Sequence, residues 1–128
     1  MMHRVLFSLI LLTVMILPGS AQPYRVRADS IVNHLYLKKS WRPLLEETNS
    51  LLKRGIDFYQ LRFKAGVAAY ELKKYRQAVT HLQKAYSVLP GDTLINSYYY
   101  RALKLSGRED EASLLADQLS PGLLQAVQ

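Results

Sequence analysis

The stretch GVAAYELKKYRQAVTHLQKAYSVLPGD, residues 66–92, decides the fold. It contains two apolar stripes with a short basic break between them, and a Pro-Gly stop follows the second stripe. In the second stripe Ala78, Leu82 and Ala85 recur at intervals of four and three residues, which is the period of a helix face and not of a strand. Neither helix can bury its stripe alone, so we expect the segment to stack against similar units.

Further helix pairs appear when the sequence is shifted against itself so that Trp41 falls on Tyr75. The same shift aligns other residues that share a small, aromatic or apolar side chain: Leu44, Ala78 and Ala112; Leu51, Ala85 and Leu119; Leu35, Ala69 and Leu103; Val32, Gly66 and Tyr100. A period of about 34 residues built from two helices is typical of the tetratricopeptide repeat (TPR).

The middle copy resembles a TPR most closely. Gly66, Ala78, Ala85 and Pro90 all match the family type, whereas Arg62 stands where the family has Trp and Ala65 where it has Leu. The outer copies are more degenerate. The first has Leu44 in place of the small residue, and the third has Tyr100 where Gly is usual.

The resemblance implies an all-α fold, a right-handed α-solenoid of about three helix-turn-helix repeats over residues 28–122. The expected repeats span about 25–58, 59–92 and 93–122. A short extended leader, residues 22–27, is predicted before them. The apolar tail, residues 123–128, is expected either to fold back over the last repeat or to contact a partner.

Local signals predict where these helices begin and end. Ser40, Asp57 and Asp92 are expected to cap the second, third and fifth helices, and Gly55 is expected to take the left-handed conformation after the second. A glycine inside a helix costs about 1 kcal/mol relative to alanine. Gly66 therefore predicts a close approach of a neighbouring helix.

The first 21 residues have the pattern of a secretory signal peptide. Arg4 supplies a positive start, Val5 to Leu17 is an apolar run, and Gly19-Ser20-Ala21 supplies small residues for cleavage. A helix that spans a bilayer needs about 20 apolar residues, more than this run contains. We expect a cleaved export signal and a periplasmic or cell-envelope location; a retained membrane anchor is the alternative.

Composition and charge exclude several classes of protein. The 128 residues contain no cysteine, so neither a disulfide framework, a thiolate metal site nor a lipid-modified cysteine is available. The formal charge is +7, but basic pairs such as Lys38-Lys39 and Lys73-Lys74 fall near predicted helix ends, where cations are favourable. We expect a protein or peptide partner and no nucleic acid, with association to a membrane or outer-membrane complex also possible.

No residues have the spacing of a catalytic or metal site. His34 and His81 belong to different helices, and neither has a second histidine or an acid four residues further on. The acidic run Glu109-Asp110-Glu111 suits the start of a helix. The sequence therefore predicts a non-catalytic protein without cofactor or metal.

The family resemblance also implies a partner-binding surface, because the first helices of successive repeats line the concave face of such arrays. Carrying the groove positions onto this sequence marks eight residues: Asn33, Tyr36, Phe63, Val67, Tyr70, Ser97, Arg101 and Lys104. An aromatic floor with a cationic end would suit a peptide with an apolar anchor and a carboxylate. The alternative is that Phe63 and Tyr70 belong to the core between repeats.

Two features qualify this surface. Asp29 lies where the two-carboxylate clamp of chaperone-binding TPRs has a cation, so that clamp is not reproduced. In the run Tyr98 to Tyr100 we expect Tyr99 to point inward and at least one neighbour to be accessible.

The predicted function is an exported TPR scaffold or adaptor that binds a peptide or partner segment. The alternative is a membrane-anchored structural component of an envelope or outer-membrane complex that acts through self-association.

Overall fold

The computed structural model describes the backbone of residues 22–128 and the side chains from Arg25 onward. The predicted export signal, residues 1–21, lies outside the described residues. Within residues 22–128 the chain forms seven helices and no strand, which confirms the all-α prediction. The helices are α1 (Gln22–Leu37), α2 (Trp41–Lys53), α3 (Tyr59–Glu71), α4 (Tyr75–Val88), α5 (Thr93–Leu105), α6 (Glu109–Ala116) and α7 (Pro121–Val127).

The turns that follow α1, α3 and α5 have the same backbone geometry. Lys39, Lys73 and Gly107, which the sequence shift places in one column, have left-handed φ angles of 54°, 60° and 79°. In each turn the next residue donates its N–H to a carbonyl five residues back, at 2.8–2.9 Å. This bond defines a Schellman helix end. The period of the sequence therefore recurs in the backbone at these three turns; the same turn also ends α2 at Gly55, as predicted, with a φ of 76°.

The helices lie in two layers. From α1 to α6, each helix packs against the next helix in the chain. In addition α1 contacts α3, α3 contacts α5, and α5 contacts α7, so the odd-numbered helices form a layer of their own. The most extensive contact between two helices is that of α3 with α4, where Gly66 faces the fully buried side chain of Leu82.

The core follows the columns that the sequence shift aligns. Leu44, Ala78 and Ala112 are at most 1% exposed, and the columns through Leu51 and through Val32 are also buried. The column through Ala69 is buried in the second and third positions, while Leu35 is half-buried. Small and large side chains alternate in three of these four columns, as interdigitated packing requires, whereas the column through Leu44 has alanine at both later positions.

The structure differs from the prediction at three helix starts. Ser40 precedes α2, but its side chain makes no capping hydrogen bond, because its backbone belongs to the turn that ends α1 and is not extended as at a capped helix start. Residues 22–27, predicted as an extended leader, are helical and belong to α1; Arg25 lies over the Phe58 ring at 5.1 Å, which ties this turn to the chain before α3. Asp57 does not cap α3. Its carboxylate instead accepts two hydrogen bonds from Arg62, each 2.8 Å long.

The C-terminal tail folds back onto the helical array. Ser120 caps α7 by accepting the N–H of Leu123, and Val127 is 8% exposed. The helix packs on α5. Among residues 22–128 no helix combines the length and apolar character needed to cross a bilayer.

Candidate functional site

A row of six aromatic rings crosses the layer of odd-numbered helices. Neighbouring ring centroids in it are 5.4–6.4 Å apart, within the range of favourable aromatic pairs. The aromatic row runs Trp41, Tyr36, Phe63, Tyr98, Tyr70, Tyr75. All six rings are half-buried. The aromatic row therefore joins α1, α3 and α5, and part of each ring is exposed to solvent.

One end of the aromatic row opens into a cavity of about 330 Å³. We call it the aromatic groove; it is lined by Tyr36, Leu37, Lys39, Trp41, Val67, Glu71 and Tyr98. Its floor is apolar because Val67 is buried and the three rings are half-buried. Its rim carries two exposed charged side chains of opposite sign, Lys39 and Glu71.

The phenols of the aromatic groove are held in their neutral form. Burial raises the pKa of Tyr36 above its ordinary value, and the negative charge of Glu71 raises it further. Burial also raises the pKa of Tyr98; Tyr36, Glu71 and Tyr70 add to this, and Arg101 opposes it. Both hydroxyl groups remain donors near neutral pH, beside a carboxylate that is an acceptor.

A second cavity, of about 380 Å³, lies where α7 meets α5. This C-terminal cavity is lined by Tyr100, Arg101, Lys104, Leu105, Val127 and Gln128. Arg101 Nη2 donates to the carbonyl of Ala126 at 3.3 Å, and Lys104 Nζ pairs with Glu109 at 2.7 Å. The two predicted groove cations therefore already have partners within the chain.

The structure brings some of the eight predicted site residues together and separates others. Tyr36 and Val67 line the aromatic groove, and Phe63 and Tyr70 contact its wall through the Tyr98 ring. Arg101 and Lys104 line the C-terminal cavity instead. Two others line neither cavity: Asn33 is exposed, and Ser97 is half-buried and donates to the Thr93 carbonyl.

Several lining residues fall outside that set. Trp41, Glu71 and Tyr98 line the aromatic groove. Glu71 and Tyr98 each follow a transferred position directly, whereas Trp41 begins α2, which supplied none of the transferred positions. The sequence signal for Tyr98 is the tyrosine run itself. Within that run Tyr99 is buried at 6% exposure, as expected, and Tyr98 is the half-buried neighbour.

The most buried ionic contact is a cluster between α3 and α4. Arg62 binds Asp57 with two hydrogen bonds and donates to His81 Nδ1 at 3.2 Å. Burial and the Arg62 charge lower the pKa of His81 to about 4, so the ring is neutral at pH 7. The Arg62 hydrogen bonds lower the pKa of Asp57. None of the three residues lines the aromatic groove, and the cluster joins two helices through a neutral histidine.

Comparison with known proteins identifies no relative. No protein-family model matches the chain, and neither the curated proteins nor the solved structures contain a match. Among residues 22–128 no group of three or more His, Asp or Glu side chains could hold a metal ion. Any assignment of function therefore depends on the residues and geometry of the chain itself.

Proposed function

We propose that this chain is an exported TPR-like scaffold or adaptor that binds a peptide or partner segment without catalysing a reaction. The binding surface is the layer of odd-numbered helices, and the aromatic groove is its most developed site. The observation that carries the proposal is the opening of half-buried aromatic rings from three helices into one groove. Peptide-recognition sites commonly combine such aromatic anchors with a few polar groups.

The repeated backbone supports the TPR-like part of the proposal. The Schellman turns at Lys39, Lys73 and Gly107 recur with the period of the sequence, and the residues of the aligned columns are buried except for the half-buried Leu35. The odd-numbered helices contact one another, whereas the even-numbered helices pack mainly on their odd-numbered neighbours. In repeat arrays a small rotation between successive repeats produces curvature, and curved arrays present concave binding surfaces.

Exchange of one apolar rim residue tests the proposal. Leu37 on the rim is 71% exposed, and Leu114 on α6 is 67% exposed. Leu37→Gln and Leu114→Gln therefore remove matched apolar side chains without changing the charge. Partners captured by the purified chain from an envelope extract of its source are compared by mass spectrometry. We expect Leu37→Gln to lose partners that Leu114→Gln retains; identical partners for both variants and the wild type would contradict the proposal.

A second candidate is a membrane-anchored structural component that self-associates in the envelope. The observation that favours it is the exposure of large apolar side chains away from the groove, such as Val26 at 70% and Leu114 at 67%. Intact-mass measurement of the exported protein together with light scattering separates the two candidates. A mass that includes residues 1–21 and an assembly larger than a monomer would favour the structural component.

A further inference from the structure

The aromatic groove has a wall made of rings from different elements. Tyr36 comes from α1, Trp41 from α2 and Tyr98 from α5, and all three line the same cavity. Tyr36 and Trp41 meet edge to face, with centroids 5.8 Å apart and planes inclined by 69°. Two rings at this inclination form a corner, so a group seated in it contacts more than one aromatic surface.

The groove combines aromatic rings with a carboxylate. Glu71 is the acidic lining residue, and its charge reaches both phenols of the wall, those of Tyr36 and Tyr98. Lys39 is the basic lining residue and, like Glu71, it is exposed; Arg101, which lines the other cavity, opposes the rise in the Tyr98 pKa. Three rings and a carboxylate on one cavity are the combination that attracts a cation, and Lys39 is the charge that competes with it.

We propose that the aromatic groove binds a lysine or arginine side chain of a partner segment, held by the rings of Tyr36, Trp41 and Tyr98 and by the carboxylate of Glu71. This inference rests on the proposed function and names the chemistry of its ligand. Cations are attracted to aromatic faces, and a carboxylate beside the rings supplies the counter-charge. A volume of about 330 Å³ is at the small end of ligand cavities, which suits one long side chain.

A carboxylate ligand fits the groove poorly. It would meet Glu71 and the negative faces of the rings. The two cations that the sequence pattern placed in the groove line the other cavity, where Arg101 donates to Ala126 and Lys104 pairs with Glu109. Lys39 is the one basic side chain among the lining residues of the groove. The proposed ligand therefore carries the opposite charge to the carboxylate that the sequence pattern favoured.

The single tryptophan of the chain makes the test direct. Trp41 lines the groove, so its fluorescence reports occupancy. The protein used is the chain without the predicted export signal, residues 22–128. It is titrated with acetyl-Gly-Arg-Gly-amide and with the same peptide carrying lysine or citrulline in place of arginine. Citrulline has nearly the shape of arginine but no charge. We expect a saturable change with the two cationic peptides and binding of the citrulline peptide weaker by about threefold to tenfold.

Matched variants assign the effect to Glu71. Glu71→Gln removes the charge from the rim, and Glu46→Gln removes the same charge from an exposed position on α2 that does not line the groove. We expect Glu71→Gln to weaken binding of the arginine peptide by about threefold to tenfold and Glu46→Gln to leave it unchanged. Lys39→Gln should strengthen binding, because it removes the competing positive charge.

Each remaining outcome overturns the inference. Equal binding of the arginine and citrulline peptides, no saturable change, or preference for acetyl-Gly-Asp-Gly-amide would exclude a cation site. Tighter binding of choline than of the cationic peptides would assign the groove to a lipid headgroup instead.

The proposed function is tested separately from this inference. Loss of partners with Leu37→Gln but no charge preference would leave the adaptor proposal standing. Charge preference with unchanged partners would contradict the adaptor proposal alone.

Discussion

Gly66 and Leu82 are so close that no side chain fits between them. A Cβ on Gly66 would lie 2.5 Å from Cγ and 2.7 Å from Cδ2 of Leu82. Leu82 is fully buried, so it has no free space into which to move. The absence of a side chain on Gly66 is what lets α3 approach α4 at the centre of the array.

We predict that Gly66→Ala lowers the free energy of unfolding. Alanine gains about 1 kcal/mol over glycine in a helix, but an added methyl group in a packed core costs about 1–3 kcal/mol. The net result should be a loss of about 1 kcal/mol, measured by chemical denaturation. Gly91→Ala is the control, since nothing lies within 4 Å of a Cβ there. A Gly66→Ala protein as stable as the control would contradict the close approach.

Gly66 also illustrates why much of the fold could be predicted from the sequence. A glycine inside an apolar helical stripe has few explanations other than close packing, and Asp92 caps α5 as expected because its carboxylate reaches the N–H of Ile95 at 2.8 Å. Asp57 has the same position in the sequence pattern as Asp92, but it does not cap its helix. Arg62, one and a half turns further on, donates two charged hydrogen bonds to the Asp57 carboxylate, and these are stronger than a capping bond.

The candidate site was predictable only in part. The groove positions implied by the TPR resemblance include Tyr36 and Val67, which line the aromatic groove, but they do not include Tyr98, whose ring reaches across to α3 from a neighbouring column. The cationic end was not predictable because it depends on the tail. Once α7 folds onto α5, the Ala126 carbonyl accepts a hydrogen bond from Arg101.

We predict that Lys73→Gly stabilises the chain. Lys73 has a φ of 60°, in the region that costs a residue with a side chain about 1–2 kcal/mol. Glycine avoids this strain but loses about 0.5–1 kcal/mol of additional backbone entropy on folding. The expected gain is about 0.5 kcal/mol, measured as a rise in the denaturation midpoint. Lys73→Ala removes the same charge and retains the strain, so an equal gain in that control would show that charge, and not backbone conformation, is responsible.

We predict that the chain becomes less stable as the pH decreases, because His81 is buried as a neutral ring beside Arg62 and Asp57. The pKa of His81 is about 4 in the folded chain and about 6.5 when unfolded. The unfolded chain therefore binds more protons between these values, and the contribution is fully present above pH 7. It is lost as pH falls from about 6.5 to about 4 and amounts to on the order of 3 kcal/mol.

Denaturation curves at pH 7 and pH 5 test this pH dependence. We expect His81→Asn to lower stability at pH 7, because the Arg62 contact is altered, and to flatten the decrease between the two pH values. His34→Asn, at an exposed position on α1, should retain the wild-type decrease. A decrease as steep in His81→Asn as in the wild type would show that other groups cause it. Because Asp57 has a lowered pKa, its own contribution is lost at lower pH, below about 4.

We predict that the contact of α7 with α5 stabilises the C-terminal end of the array. Val127 is 8% exposed and lines the C-terminal cavity beside Tyr100. Val127→Ser removes apolar contact and places a hydroxyl in a largely apolar position, which should cost about 1–2 kcal/mol. Gln125→Ser, on the exposed side of the same helix, should change stability by less than about 0.5 kcal/mol.

Hydrogen exchange locates the effect of Val127→Ser. If α7 covers α5, amide exchange in the second half of α5 should become faster in this variant, while exchange in α3 and α4 keeps its wild-type rate. Equal stability of the Val127→Ser and Gln125→Ser variants would mean that α7 does not pack on α5 in solution. In that case Arg101 would also lose its contact with the Ala126 carbonyl, and its charge would become available to a partner.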